Sequence, residues 1–389
     1  MDPALIRDCV HCGFCLPSCP SYVVFNEEMD SPRGRIWLMQ SRVDGTIELN
    51  RTVAEHFDRC LGCMACLTSC PSGVKYDKLI ELAREQVEEQ VRRPLSQRLM
   101  RRAVFAVFPH PKRLRTALRF SRLPAPGPFK PLKALAPTWS EPVSPPVETP
   151  ATGERVARVG LLTGCVQSVI FGEVNRASAR VLSACGYEVT APYSECCGAL
   201  ALHAGRRQEG LAQARRTADA FRAAGAETIV TNAAGCGSHL KEAGLDLPVV
   251  DISEAVAAGT APALNPLPLR VAYQEACHLG HAQRVRSEPR AMLRSIPGLD
   301  LVEPAEQEMC CGSAGIYNLV QPDAARTLGD RKAAKVIAAE PEVYASANPG
   351  CLVQVSAALR RAGRPMQAVH PVELLDASIR GTTALPDRA

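Results

Sequence analysis

The chain has 389 residues, 46% of them hydrophobic, with a formal net charge of +5 and 17 cysteines. That length accommodates two or three domains with a sizeable core, and no run approaches the roughly 18–20 apolar residues of a membrane span, so a soluble or peripheral protein is expected. No secretory signal precedes the first cysteine, which argues against a disulfide-stapled secreted domain and for thiol ligation in a reducing cytoplasm.

Residues 1–91 carry one cysteine phrase twice. Cys9, Cys12, Cys15 and Cys19 precede Pro20, and Cys60, Cys63, Cys66 and Cys70 precede Pro71. Each reads C-x2-C-x2-C-x3-C-P, the spacing that holds two [4Fe–4S] clusters in bacterial ferredoxins, where the fourth cysteine of each run serves the other cluster. The expected sets are Cys9, Cys12, Cys15 and Cys70 for cluster 1, and Cys60, Cys63, Cys66 and Cys19 for cluster 2. Zinc sites come as separated C-x2-C pairs and do not match this pattern. Forty residues separate Cys19 from Cys60. Ser31-Pro32 opens a predicted helix through Gln40, a second is expected near Val53 to Phe57, and Asp77 is expected to cap a third carrying Leu79, Ile80, Ala83, Val87 and Val91. The domain therefore reads as α-helical.

Residues 92–155 form a basic helical segment and a linker. Twelve Lys and Arg and no Asp or Glu lie between Arg92 and Lys133. This stretch can be a solvated face, a dock for an acidic partner surface, or a peripheral contact with an anionic membrane into which Val104, Phe105, Val107 and Phe108 insert. No recognition motif accompanies the charge, so no nucleic acid is expected. Pro124, Pro126, Pro128, Pro131, Pro137, Pro142, Pro145, Pro146 and Pro150 predict an extended linker.

Residues 156–380 repeat internally, with halves at 156–260 and 261–380. Cys165, Cys196-Cys197-Gly198 and Cys236 recur as Cys277, Cys310-Cys311-Gly312 and Cys351, at offsets of 112, 114, 114 and 115 residues. Strands are predicted at Val156–Leu162, Glu227–Thr231, Leu269–Tyr273 and Glu342–Ala347, with helices such as Ala177–Ala184 and Gly210–Ala223 between them. Alternating strand and helix predicts a parallel α/β unit in each half. The cysteines then sit beyond strand C-termini, where such sheets build their sites, beside helix N-termini whose N–H groups suit an anionic cluster. All eight cysteines are candidate ligands for at least one further [4Fe–4S] cluster. The fold class is thus α+α/β: a helical two-cluster ferredoxin-like domain followed by a duplicated α/β cysteine-rich domain. Cys185, in an apolar helical context, reads as a buried structural thiol. His239, His278 and His281 flank the candidate ligands and can be ligands, tune the cluster by hydrogen bonding to sulfur, or simply be satisfied polar residues; His11 can pack beside the first cluster, and Arg33 and Arg35 can donate to cluster sulfides or to a partner, or lie on an exposed helix face.

In its combination of two ferredoxin phrases, a linker and two CCG repeats, the chain resembles the iron–sulfur subunits of bacterial glycolate oxidase. The likeness is closest at Cys9–Cys15, Pro32–Ile36, Cys70–Val74, Cys196–Gly198 and Cys310–Gly315. It implies an electron-transfer subunit of an oxidoreductase complex with no catalytic residue of its own. An FAD-containing 2-hydroxy-acid oxidase partner oxidises glycolate to glyoxylate, and electrons pass toward a quinone or other membrane acceptor at the inner face of the cytoplasmic membrane. No G-x-G-x-x-G fingerprint opens a strand–helix unit, so no dinucleotide is expected on this chain. More distant CCG relatives leave D-lactate, L-lactate or glycerol-3-phosphate oxidation, and heterodisulfide-type thiol–disulfide reduction, as alternatives. Against the last, the C-x2-C that closes each repeat in heterodisulfide reductase is absent here: Cys236 is followed by Gly237, Ser238 and His239, and Cys351 by Leu352, Val353 and Gln354. Each half therefore offers four thiols, enough for one cubane, or the two halves combine around a single cluster.

Overall fold

The computed structural model describes residues 3–119 and 143–386. Among the described residues, none before Glu148 lies in a strand, so the N-terminal part is helical as the sequence predicts. The helix Pro32–Val43 starts where Ser31 Oγ accepts the Gly34 N–H at 3.0 Å, with Pro32 in its first turn. Arg51–Asp58 starts in the same way from Asn50, whose side chain accepts the Val53 N–H at 3.0 Å. The third helix spans Tyr76–Gln90 and buries Tyr76, Leu79, Ile80, Ala83 and Val87 along one stripe. Asp77 lies inside its first turn, not at the cap, which Lys75 occupies. The carboxylate there still complements the helix N-terminus.

The basic segment forms two helices, Leu95–Val107 and Pro111–Arg119. The apolar residues that membrane insertion would use turn inward. Val104 is buried with Met100, Ala204, Ile316 and Leu319, and Phe105 and Phe108 pack against that group. Leu114 and Leu118 are buried beside Val169, with Val107 packed against them. Of the charges, Arg93 pairs with Asp58 and Glu88, and Arg101 lies near the same carboxylates. Arg98, Arg102, Lys112, Arg113 and Arg115 are exposed. Most of the proline-rich linker, residues 120–142, lies outside the described residues; its described end contributes the edge strand β1 (Glu148–Thr149).

The duplicated part builds two sheets. Strands β2 (Ala157–Leu162), β3 (Tyr187–Thr190), β4 (Thr228–Thr231) and β5 (Val249–Asp251) give the order β1-β3-β2-β4-β5, in which β1 alone is antiparallel. Strands β6 (Arg270–Gln274), β7 (Asp300–Val302), β8 (Val343–Ser346) and β9 (Gln367–Val369) give β7-β6-β8-β9, all parallel. Removing β1 leaves two sheets of one topology. In both, the first strand sits between the second and third, so the chain reverses direction across the sheet between β2 and β4 and between β6 and β8. This is the place where open α/β sheets leave a crevice beyond their strand C-termini. The strands β2, β4, β6 and β8 lie within about one or two residues of the predicted spans. The outer strands β3, β5, β7 and β9 are three or four residues long and were not anticipated.

One apolar core runs through both repeats. Val159, Leu161, Val174, Leu182 and Val230 of the first are contiguous with Val271, Tyr273, Tyr344, Leu359 and Leu374 of the second. Helices Gly172–Ala184 and Pro371–Arg380 pack together, and Arg180 donates to both carboxylate oxygens of Asp376 at 2.7 Å.

Candidate iron–sulfur sites and the cavity between the repeats

The first phrase lies at the surface. Cys12 is exposed, Cys9 and Cys15 are half-buried, and Val10 and Phe14 between them are 68% and 67% exposed. His11 and Gly13 take positive φ, and Arg33 Nη1 donates to the His11 carbonyl at 3.1 Å, tying the loop to the helix Pro32–Val43. Burial pushes the Cys9 thiol up, with the neighbouring Cys70 and Cys12 adding to it. Burial likewise pushes Cys15 to about 11. The second phrase is inside. Cys60, Cys63 and Cys66 are buried, and so is Cys19 of the first phrase. Burial, then the negative charges of Cys63, Cys60 and Cys19, push Cys66 well up. Cys70 lies close enough to Cys9, and Cys19 to Cys63, Cys66 and Cys15, for their negative charges to raise one another's thiols.

A polar shell that the phrases did not announce surrounds the inner set. Arg35 is fully buried and donates to Ser21 Oγ at 3.0 Å, to the Asp30 carbonyl at 2.5 Å and to the His56 carbonyl at 2.6 Å. Ser21 Oγ is 3.3 Å from Cys19 Sγ. The Tyr76 hydroxyl is 3.7 Å from Cys60 Sγ, the Gly62 N–H points to the same sulfur at 3.3 Å, and Arg84 donates to the Cys60 carbonyl. Burial pushes the Cys60 thiol up, but Arg35, Arg84, Gly62 and Tyr76 outweigh it and hold it below its ordinary range. The environment thus favours the thiolate, the form that ligates metal.

Each repeat collects its own four thiols. In the first, Cys165 follows β2, Cys196 and Cys197 follow β3, and Cys236 sits in the first turn of the helix Ala234–Glu242 after β4. Cys165 and Cys196 Sγ are 3.4 Å apart, and Cys197 contacts both Cys196 and Cys236. In the second, Cys277 follows β6, Cys310 and Cys311 follow β7, and Cys351 sits in the first turn of Pro349–Arg361 after β8. Cys311 and Cys351 Sγ are 3.4 Å apart, and Cys310 contacts Cys277 and Cys311. Sulfur contacts hold Cys196, Cys277 and Cys311 below the ordinary thiol range and drive their partners above it. Helix N-termini at Cys236 and Cys351 add positive potential.

The glycine of each CCG has a specific task. Gly198 has φ +98°, and a Cβ there would come within 2.2 Å of the Gly210 carbonyl oxygen. Gly312 has φ +90°, and its Cβ would meet the Ala325 carbonyl oxygen at 2.6 Å. In both repeats the next long helix passes so close behind the paired cysteines that only glycine fits.

The flanking residues divide in role. Cys185 is fully buried in the apolar core, and burial pushes its thiol to about 11, as suits a structural cysteine. His281 Nδ1 is 2.7 Å from Thr68 Oγ1 and its Nε2 lies 3.1 Å from the Glu308 carbonyl, so it joins the two domains and faces no candidate ligand. His239 Nε2 lies 3.2 Å from the Gly210 carbonyl, behind Gly198. His278 Nδ1 is 3.6 Å from Cys277 Sγ. Its ring meets that of His203 edge-on, with centroids 4.9 Å apart. His203, Asn348 and Gln167 carried no sequence signal. Asn348 donates to Cys351 Sγ at 3.6 Å and accepts the Gly235 N–H at 3.5 Å, linking one repeat to the other.

A cavity of about 260 Å³ opens between the repeats. Cys165, Cys196, Cys197, Cys236, Cys277 and Cys351 line one part of it. The remaining wall is largely apolar and includes Val104, Phe108, Leu114 and Leu118 of the two basic helices.

These residues fit iron–sulfur clusters. Among the described residues no group of three or more His, Cys, Asp and Glu converges as a single metal ion would require. A polynuclear cluster takes each thiolate on a different iron, so groups of four thiols, most of them buried or half-buried, suit it. Among the described residues, no helix is long and apolar enough to cross a membrane.

Comparison with known proteins agrees. Residues 6–74 match the 4Fe-4S dicluster domain family, and residues 159–241 and 271–356 each match the CCG cysteine-rich domain family. The chain is 36% identical to the glycolate oxidase iron-sulfur subunit of Escherichia coli (strain K12), covering 97% of this chain and 95% of that protein. It is 34% identical to the probable glycolate oxidase iron-sulfur subunit of Bacillus subtilis (strain 168), covering 96% and 94%. Lactate utilization protein A of Oceanobacillus iheyensis is 26% identical over 58% of this chain and 100% of its own length. With two cluster-binding phrases, two CCG repeats and this similarity over nearly its whole length, the chain belongs to the glycolate oxidase iron–sulfur subunit family.

Proposed function

We propose that the chain carries electrons from a flavin-containing partner subunit, which oxidises glycolate to glyoxylate, toward a quinone. The carrying observation is the succession of thiol sets from surface to interior. Cys9, Cys15 and Cys70, in the set with exposed Cys12, pack against the apolar cluster that holds Cys60 and Cys66 of the buried set. That buried set in turn adjoins the second repeat: Leu61, Cys63 and Ala65 share an apolar cluster with Cys310, Tyr317 and Ala324, and Cys277 packs against it. Bound in such sets, each cluster supplies a one-electron acceptor and donor. The protein's own part is to fix the thiolates, exclude water and supply N–H and guanidinium groups around them.

The proposed ligands are Cys9, Cys12, Cys15 and Cys70; Cys60, Cys63, Cys66 and Cys19; Cys165, Cys196, Cys197 and Cys236; and Cys277, Cys310, Cys311 and Cys351. One cluster per repeat is favoured over one shared between them, because the close sulfur contacts run within each half. Anaerobic purification should then give about sixteen iron per chain. About eight iron would confine clusters to the ferredoxin part, and about twelve would restore a shared site. For the function, the partner flavin subunit alone should reduce quinone with glycolate far more slowly than the complex; an equal rate would end the electron-carrier reading.

A further inference from the structure

We propose that the cavity between the two repeats binds the head group of a lipid-soluble quinone, held by Gln167 and His278. This rests on the quinone being the acceptor, as proposed above. Thiolate clusters need the cysteine-lined part of the cavity; they do not need the rest. Val104, Phe108, Leu114, Leu118, Ile170 and Leu319 come from both basic helices and both repeats to make an apolar wall. Concave, mainly apolar walls with a few convergent polar groups are the usual form of a small-molecule site. The cavity measures about 260 Å³ in all and its thiol-lined part belongs to the clusters, so only the ring is expected to enter, along the apolar wall, with the tail left outside.

The polar groups point to the ligand class. Gln167 is 2% exposed, lines the cavity, and has no hydrogen-bond partner at either Nε2 or Oε1. His278, whose Nδ1 faces Cys277, leaves its Nε2 buried and unpartnered in the same cavity. Buried polar atoms without partners are costly to leave unmatched. A neutral apolar ring with carbonyl or hydroxyl oxygens answers both. The Gln167 N–H donates to a quinone carbonyl, and Gln167 Oε1 and His278 Nε2 accept from quinol hydroxyls. Oxidation of glycolate to glyoxylate releases two electrons and two protons, and the quinone takes up two of each to become the quinol, so no further reactant is needed. Lys112, Arg113 and Arg115 are exposed on the helix whose Leu114 and Leu118 wall the cavity. They offer a basic surface to an anionic bilayer, the source of such a quinone.

The test uses the intact complex, purified anaerobically, with glycolate as donor and decylubiquinone or ferricyanide as acceptor. In Gln167→Leu and in Leu114→Trp, the KM for decylubiquinone should rise about tenfold or more, the loss of one hydrogen bond or of shape fit. Iron content should match the parent in both. A photoreactive azido-ubiquinone should label segments 111–119 or 164–171 in the parent, with labelling displaced by decylubiquinone and weakened in the variants. If the parent reduces decylubiquinone but both variants keep its KM, or the label falls elsewhere, this site is wrong while the quinone remains the acceptor. If the parent reduces ferricyanide but not decylubiquinone, the quinone reading itself fails. Should Leu114→Trp lose iron, Gln167→Leu and the parent's labelling pattern still decide.

Discussion

At the scale of single residues, the CCG glycines show why two adjacent cysteines need a third partner in sequence. Positive φ and a carbonyl oxygen within 2.2–2.6 Å of any Cβ leave no room for alanine at Gly198 or Gly312. Gly198→Ala should therefore cost the first repeat its cluster, and Gly312→Ala the second. Each should lower iron by about four per chain while ferredoxin-type EPR signals persist; full iron in either variant would refute the assignment. Arg35 is the other residue with an outsized role. It is buried with Asp30, which His56 and Arg59 also contact at 2.9 Å. Since Arg59 and His56 keep Asp30 paired, Arg35→Met should destabilise the helical domain by about 1–3 kcal/mol, the cost of leaving the Asp30 and His56 carbonyls unpaired, seen as loss of both ferredoxin-type signals at a lower urea concentration than in the parent. The motif containing Arg35 was visible in sequence. Its service to Ser21, Asp30 and His56 was not, because those partners are 5–21 residues away and meet only in the fold.

Among elements, the joints between helices carry the testable consequences. The helix Tyr76–Gln90 holds Glu81 in a crowded place. Burial, then Glu242 and Asp77, lift its carboxyl to about 7, against the pull of Lys78 and Arg207. Lys78 itself bridges to Glu242 at 2.7 Å across the two domains. Between about pH 4.5 and 7 the folded chain keeps a proton that the unfolded chain has released, so stability falls as pH rises through this window. Glu81→Gln should flatten that slope and raise the denaturation midpoint above pH 7, by at most about 3 kcal/mol. A wild-type urea midpoint independent of pH over this window would contradict it. On the far side, Arg180 joins helix Gly172–Ala184 to Pro371–Arg380, and Arg380 also reaches Asp376 at 3.0 Å. Since Arg380 keeps Asp376 paired, Arg180→Ala should cost only about 1–2 kcal/mol, read as a lower urea midpoint with iron unchanged.

Taken as a whole, the molecule is not two halves on a string. Tyr273 and Tyr344 of the second repeat share a core with Val159, Leu161 and Val230 of the first. A fragment ending near residue 260 would expose that face to water. Expressed alone, it should aggregate or unfold without a cooperative transition, whereas residues 143–386 together should melt as one unit in calorimetry. Two independent transitions in the longer fragment would show the halves to be separate.

Cysteine spacing, a pattern local along the chain, was enough to announce iron–sulfur chemistry and the duplication. The inner strands β2, β4, β6 and β8 were legible too, since each is a short, largely apolar run followed within a few residues by a cysteine of the repeat. The outer strands β3, β5, β7 and β9 were not, because no cysteine follows closely to mark most of them and their pairing depends on the neighbour already in place. The place of the basic segment's apolar residues was not legible for a similar reason. Val104 and Phe108 look like membrane anchors by composition, but a surface of Ile316, Leu319 and Leu200, more than ninety residues away in sequence, buries them first. Sequence alone thus determined the redox chemistry, because ligand spacing is a property of the chain. Only tertiary structure decided how the thiol sets succeed one another and where Gln167, His203 and His278 gather, because burial and contact are properties of chain segments brought together from afar.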